Sequence, residues 1–222
     1  MLILVLDTAT PAITAALAEV TPDDVRLVAE RVTVDGKAHG EQLAPAIDAV
    51  LAEAGTKPRD IAAIVAGLGP GPFTGLRVGL VTAAIMADTL GIPTYGVCSL
   101  DGLSTTESEH PMLVATDARR KEVYWAVYRA GVRLHGPSVD TPAAVAPKLS
   151  QYGVVSGVGE GVLRYADQLG VVAASGSAYP SALLLARHAA DRVRAAAPSE
   201  TLQPLYLRRP DAVEPAGRKP VL

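Results

Sequence analysis

Ala66-Gly67-Leu68-Gly69-Pro70-Gly71-Pro72-Phe73-Thr74-Gly75-Leu76-Arg77-Val78-Gly79 is the stretch on which the reading of the fold turns. An apolar run over residues 61–65 leads into it and reads as a buried strand. A long apolar segment over 76–90 leaves it and reads as a helix, with Thr74 as its N-cap. Between them, Gly67, Gly69 and Gly71 permit close approach of another backbone, and two prolines fix the turn. Gly69, Gly71, Thr74 and Gly75 are therefore candidates for a phosphate-cradling loop at a helix N-terminus. The same residues also read as a tight strand-to-helix turn of purely structural purpose.

The following helix carries Gly75, Gly79, Ala83 and Ala87 at steps of four, which places them on one ridge. Glycine inside a helix costs about 1 kcal/mol relative to alanine, so something is expected to come close to that ridge. Leu76, Leu80, Val78, Val81 and Ile85 flank it, so the helix is apolar on most sides and is expected to be covered by its own sheet on one side and another helix on the other.

Upstream, residues 2–6, 13–20 and 26–34 read as strands, with a turn at Asp7-Thr8-Ala9-Thr10. Leu43, Ile47, Val50, Leu51 and Ala54 then repeat with helical spacing up to Gly55, and Pro45 is expected to limit or kink the first turn. A strand at 94–98 follows the ridge helix. The order β-β-β-α-β-α-β is the ribonuclease-H-like pattern. From residue 112 the pattern starts again, less regularly: strands at 112–116 and 123–128, a helix at 141–149, a short strand at 154–155, a second glycine cluster at Gly157, Gly159 and Gly161, and a long helix at 181–197. The expected architecture is α/β, two tandem ribonuclease-H-like units of the actin, sugar kinase and Hsp70 (ASKHA) superfamily, divided into residues 1–104 and 105–222.

The chain has 222 residues, is 49% apolar and carries a net charge of −3, which disfavours a protein that holds RNA by itself. Its one cysteine, Cys98, excludes an internal disulfide. The first residues read as a strand and no stretch approaches 18 consecutive apolar residues, so a cytoplasmic chain without a membrane span is expected. His39, His110, His135 and His188 are scattered, and no serine sits in a nucleophile elbow. A nuclease of this fold needs converging carboxylates, yet after Asp7 the next strand end is Gly-Leu-Gly. A kinase needs glycine in the first turn of each unit, yet those turns read Asp7-Thr8-Ala9-Thr10 and Asp117-Ala118-Arg119-Arg120. Arg119-Arg120-Lys121 and Arg208-Arg209 read as solvated turns before RNA contacts.

Residues 69–79 closely resemble the form Gly-Pro-Gly-Ser-Phe-Thr-Gly-Leu-Arg-Ile-Gly of the TsaB family, also called YeaZ, with Pro72 in place of serine. His39-Gly40-Glu41-Gln42-Leu43-Ala44-Pro45, residues 2–8, residues 117–127 and Pro204-Leu205-Tyr206-Leu207-Arg208 extend the resemblance along the chain. It implies a non-catalytic subunit that pairs with its paralogue TsaD and, with the ATPase TsaE, supports threonylcarbamoyl transfer to the adenosine next to the anticodon of tRNA. No cofactor is implied for this chain; metal and ATP belong to TsaD and TsaE, and tRNA is met only through the complex. The paralogue's metal-binding His-Leu-Glu-Gly-His segment corresponds to Ser99-Leu100-Asp101-Gly102-Leu103 here, without either histidine. The resemblance further implies that the first two helices pack on those of TsaD, or of a second copy of the chain when TsaD is absent. The expected interface is Leu43, Ile47, Leu51, Gly75, Leu76, Gly79, Ala83 and Ala87, with Leu43, Ile47 and Leu51 left to face either partner or sheet. Two other classes remain open: a metallopeptidase-like enzyme, by way of the paralogue, and a homodimeric binding module in which the glycine loop holds a phosphate or nucleotide at the domain cleft.

Overall fold

A computed structural model describes residues 1–104 and 109–208. Arg209 of the second basic run and residues 105–108, within the stretch where the two units were expected to divide, lie outside the described residues.

The first unit is a five-stranded sheet. Strands β1 (Leu2–Asp7), β2 (Ala12–Val20) and β3 (Val25–Val34) form an antiparallel meander. Helix α1 (His39–Glu53) leads to β4 (Ala63–Gly67), and α2 (Phe73–Leu90) leads to β5 (Thr94–Val97), both strands lying parallel to β1 in the order β3-β2-β1-β4-β5. The second unit repeats this with β6 (Met112–Asp117), β7 (Val123–Arg129), β8 (Val132–Asp140), α3 (Pro142–Leu149), β9 (Ser156–Val158), α4 (Glu160–Leu169) and β10 (Val172–Ala173). Its order, β10-β9-β6-β7-β8, is the same topology read from the other edge. The chain is thus α/β, two ribonuclease-H-like sheets in tandem, as the strand order in the sequence indicated.

Strand alternation decides which helix covers which face. Leu4 and Leu6 point with Ile64 into a core closed by Leu43, Ile47, Val50 and Leu51 of α1 and by Leu80, Ala83 and Ala87 of α2. Ile3 and Val5 point to the opposite face, which is covered by α5 (Ala182–Arg194) through Ala182, Leu185, Ala186, Ala189 and Ala190. Small alanine side chains let this helix lie close on the sheet. Helix α5 is in the second half by sequence, yet it completes the first unit. The expected division at residue 104 therefore cuts through a packed layer, because one face of sheet one is finished only by residues beyond 180.

In the second unit, Leu113 and Ala115 face α3 and α4, while Met112 and Val114 face Leu100 and Leu103 of the first unit's 3-10 turn, Ser99–Leu103. The two units share this second core. Asp101 fastens it, accepting from the Tyr128 hydroxyl at 2.6 Å and from Arg133 at 3.1 Å.

Several element bounds differ from the expectation. Helix α2 starts at Phe73, with Pro72 in the N-cap position and no side-chain cap, so Thr74 lies in its first turn and is exposed. Helix α1 runs from His39 through Pro45. The strand expected at 61–65 is Ala63–Gly67, because Pro58–Asp60 forms a 3-10 turn before it. Helix α4 and strands β8 and β10 were not foreseen. Val162, Tyr165 and Leu169, at helical spacing after Gly161, were a usable signal for α4.

Candidate functional site

Two features stand out: the cleft between the units and the outer face of α2. Both are organised by the turn after β1. Asp7 is buried, and its Oδ1 accepts from the Ala9 N–H at 3.0 Å, as an aspartate that stabilises its own turn. Its Oδ2 accepts from the Ser99 hydroxyl at 2.5 Å, and that hydroxyl also accepts from the Gly69 N–H at 3.1 Å. Burial raises the Asp7 carboxyl to about 6, against the opposing pull of the Ser99 and Ala9 hydrogen bonds and the charge of His39. Ser99 thus joins the β1 turn to the glycine loop. Leu103, four residues on, is buried in the shared core. A hydroxyl committed to a carboxylate and a leucine supply no imidazole donors, so the segment does not fit a metal site of the His-Leu-Glu-Gly-His kind. Among the described residues, no three His, Cys, Asp or Glu side chains converge where they could hold a metal ion.

Thr8 explains the glycine ridge. Its hydroxyl donates to the Gly75 carbonyl at 2.8 Å and accepts from the Gly79 N–H at 3.1 Å, spanning one rung of the α2 ladder. A Cβ on Gly79 would lie 2.4 Å from the Thr8 hydroxyl, and one on Gly75 would lie 2.8 Å from the Thr8 carbonyl oxygen. The close neighbour of the ridge is the chain's own β1 turn. Gly75, Leu76, Gly79, Ala83 and Ala87, expected at the interface, are buried within the unit, and Leu43, Ile47 and Leu51 of α1, which the sequence left to face either partner or sheet, pack on the sheet. The reason is geometric, since a ridge of small residues also lets a helix sit down on a turn of its own sheet.

The loop residues have partners of the same kind. Gly69 is in the left-handed region, its carbonyl accepts from the Ser99 N–H at 2.7 Å, and a Cβ on Gly71 would lie 2.1 Å from the Ala9 carbonyl oxygen. The loop is packed on the β1 turn by its own chain, which leaves little room for a phosphate against the Gly71 backbone.

What α2 presents outward is a different stripe. Phe73, Thr74, Arg77, Val81, Ala84, Ile85, Asp88 and Thr89 are exposed, at 45% for Phe73, 53% for Val81 and 62% for Ile85. Phe73, Thr74, Arg77, Val78, Val81 and Thr82 line a shallow depression along it. By length and composition α2 is also the one helix among the described residues apolar enough to cross a bilayer. Here that apolarity divides into an inner ridge packed on the sheet and this outer stripe.

The stripe's N-terminal end opens onto the cleft. The Arg77 guanidinium sits 3.8 Å over the Phe73 ring, Phe73 stacks on Tyr206 at 5.1 Å, and Arg77 Nε donates to the Tyr206 hydroxyl at 3.3 Å. Tyr206 belongs to a C-terminal strap. Glu200 N–H donates to the Thr94 carbonyl at the edge of sheet one, Leu205 N–H to Leu68 in the glycine loop, and Arg208 reaches the Ala118 carbonyl and the Glu122 carboxylate in the second unit. A cavity of about 450 Å³ lies between the strap, Phe73 and the 118–120 turn, and a neighbouring one of about 590 Å³ lies between the β1 turn, His39 and Arg119.

Residues 26–156 match the model of the family TsaD: tRNA N6-adenosine threonylcarbamoyltransferase. A solved structure, YeaZ from Pseudomonas aeruginosa, superposes with a TM-score of 0.75 at 28% identity, covering 93% of this chain and 99% of that one. The chain is 32% identical over 153 residues to the tRNA threonylcarbamoyladenosine biosynthesis protein TsaB of Escherichia coli (strain K12), covering 67% of this chain and 64% of that protein. The chain belongs to the TsaB (YeaZ) family. Another relative, an uncharacterized protein of Mycobacterium tuberculosis (strain ATCC 25618 / H37Rv), is 47% identical over 210 residues, spanning 95% of this chain and 93% of the relative. On α2 the residues that the sequence offers as an interface lie on the inner, packed side of the helix. The bounding residues Val81 and Ile85, named in the sequence only as flanks, are the exposed ones.

Proposed function

We propose that this chain is the non-catalytic subunit of a complex that makes threonylcarbamoyladenosine in tRNA, and that it docks its TsaD paralogue through the outer stripe of α2. The observation that carries the reading is that one helix packs its small ridge on its own sheet and leaves Val81 and Ile85 uncovered, with Phe73 and Val78 at one end. Large exposed apolar residues in a row mark a docking face. The TsaD family model matches this chain over more than half its length, so a TsaD subunit offers an equivalent helix, and two such helices can pack about a pseudo-twofold axis. A second copy of the chain offers the same helix when TsaD is absent. TsaE, ATP and metal are assigned to the rest of the complex, and the complex to the cytoplasm. Ser99 and Leu103, bound into structural contacts, support the reading that this subunit's own active site is lost.

The test is co-purification with TsaD, combined with a tRNA modification assay that omits each subunit in turn. Val81→Asp and Ile85→Asp are expected to weaken the complex at least a hundredfold, since each buries an unpaired charge in the contact. They should leave the melting of the isolated chain within about 0.5 kcal/mol of the parent. Modification by the isolated chain, or undiminished TsaD binding by both variants, would overturn the proposal.

A further inference from the structure

We infer that the cleft edge formed by the 119–121 turn and the Phe73–Tyr206 stack is a direct contact for a nucleotide of the RNA substrate, so that this subunit itself touches tRNA within the complex. The inference rests on the tRNA-modification reading above. It reverses the sequence-based preference for a solvated turn at Arg119-Arg120-Lys121.

The turn closes β6 on β7, with Ala118 N–H donating to Glu122 and Glu122 N–H donating back to Arg119. Arg119, Arg120 and Lys121 all lie in the left-handed region, at φ of 58°, 52° and 61°. L-residues visit that region singly and at a cost, and glycine or asparagine is the ordinary choice. Three consecutive basic residues held there is an outlier of the kind that accompanies function. The turn carries Arg119 and Arg120 to the wall of the 450 Å³ cavity, opposite Phe73 and Tyr206.

Nearby acids are already engaged. Glu122 pairs with Arg208, and Asp117 with Arg164 at 3.3 Å. The Arg119 guanidinium has no ion pair among the described residues. The cavity thus sets a cation that can take a phosphate against two exposed, stacked rings that can take a base face. That pairing of stacking platform and backbone cation is the chemistry of single-stranded nucleic-acid binding. With a net charge of −3 over the whole chain, the contact is local and adds to affinity supplied by the rest of the complex.

A free nucleotide shares this chemistry, so the experiment has two arms. In the first, an unmodified tRNA transcript is bound to the assembled complex across a salt series, and separately photo-crosslinked to the complex and to the isolated chain with the crosslinked peptides mapped. Arg119→Ala is expected to weaken tRNA binding threefold to tenfold and to reduce the salt slope by about 1, one phosphate contact. Arg119→Lys should restore the slope. Tyr206→Leu should weaken binding about fivefold or more with the slope unchanged, the signature of lost stacking. Crosslinks should fall on peptides containing Phe73 or Tyr206. In the second arm, AMP and ATP are titrated into the isolated chain. Unchanged tRNA affinity and slope in Arg119→Ala would overturn the inference, as would crosslinks confined to TsaD, or tight Arg119-dependent binding of AMP or ATP without effect on tRNA. Complex assembly is scored in parallel by size exclusion. Failure to assemble speaks against the docking proposal, while crosslinking on the isolated chain still decides this one.

Discussion

The two sheets have one topology and two very different strand-end turns. In the first unit, Asp7 is buried, and Ser99, Ala9 and Gly69 knit it to the glycine loop, while Thr8 locks onto an 18-residue helix. In the second, the corresponding Asp117 is paired with the exposed Arg164 beside a 10-residue helix whose backbone departs from helical angles at Tyr165. Burial, and then the neighbouring Asp117, raise the Glu160 carboxyl at the start of that helix. The same scaffold is used once as a closed, tightly bonded platform and once as an open, charged rim. The difference teaches that glycine-rich strand-to-helix loops in such folds answer first to what their own strand turns press against them.

Substitutions at equivalent depth should separate the two turns. The largest effect is expected from Gly79→Leu, whose side chain would enter the space of the Thr8 hydroxyl. It should destabilise the isolated chain by about 3 kcal/mol or more, measured by urea unfolding. A folded Gly79→Leu chain that merely fails to bind TsaD would restore the outward-facing ridge. Next comes the pH dependence of Asp7. Its native value of about 6 lies above the ordinary 3.8, so between those values the native state holds a proton that the unfolded chain has released. Stability is therefore greatest below about pH 4 for this group, falls as pH rises to about 6, and is level above it. The full loss is roughly 3 kcal/mol. Asp7→Asn should flatten that slope in unfolding measured from pH 4 to 7, and a slope that persists in the variant would remove Asp7 as its source. Ser99→Ala should cost about 1–2 kcal/mol and push the Asp7 transition to higher pH, because it deletes a hydrogen bond to the ionised form. The smallest effect is expected in the open turn, where Asp117→Asn should change stability by less than about 1 kcal/mol, since Arg164 is largely exposed.

The sequence carried the first unit almost whole, because its strands are continuous apolar runs and its helices have clear periodicity. It carried the second unit less well: β8 is half exposed and interrupted by Gly136 and Pro137, and α4 is short and charged. The family was legible in residues 69–79. The direction of the ridge was not, because a row of small residues records close approach without naming the neighbour, and Thr8 lies 71 positions from Gly79. Nor was the strap legible as a bridge, since Tyr206 meets Phe73 only through the return of the chain.

That return has a consequence for how the molecule comes into being. During synthesis the first five strands and the helices α1 and α2 leave the ribosome early, but Ile3, Val5, Tyr95 and Val97 keep a bare apolar face until residues 182–194 emerge. The amino-terminal unit must then wait, half-covered, for most of the chain to be made, and the pairing of its first strand with its last helix is among the most distant contacts in the protein. A nascent chain of this kind exposes an adhesive sheet face for seconds at ordinary elongation rates, and chaperone capture of stalled chains should end abruptly once α5 clears the exit tunnel.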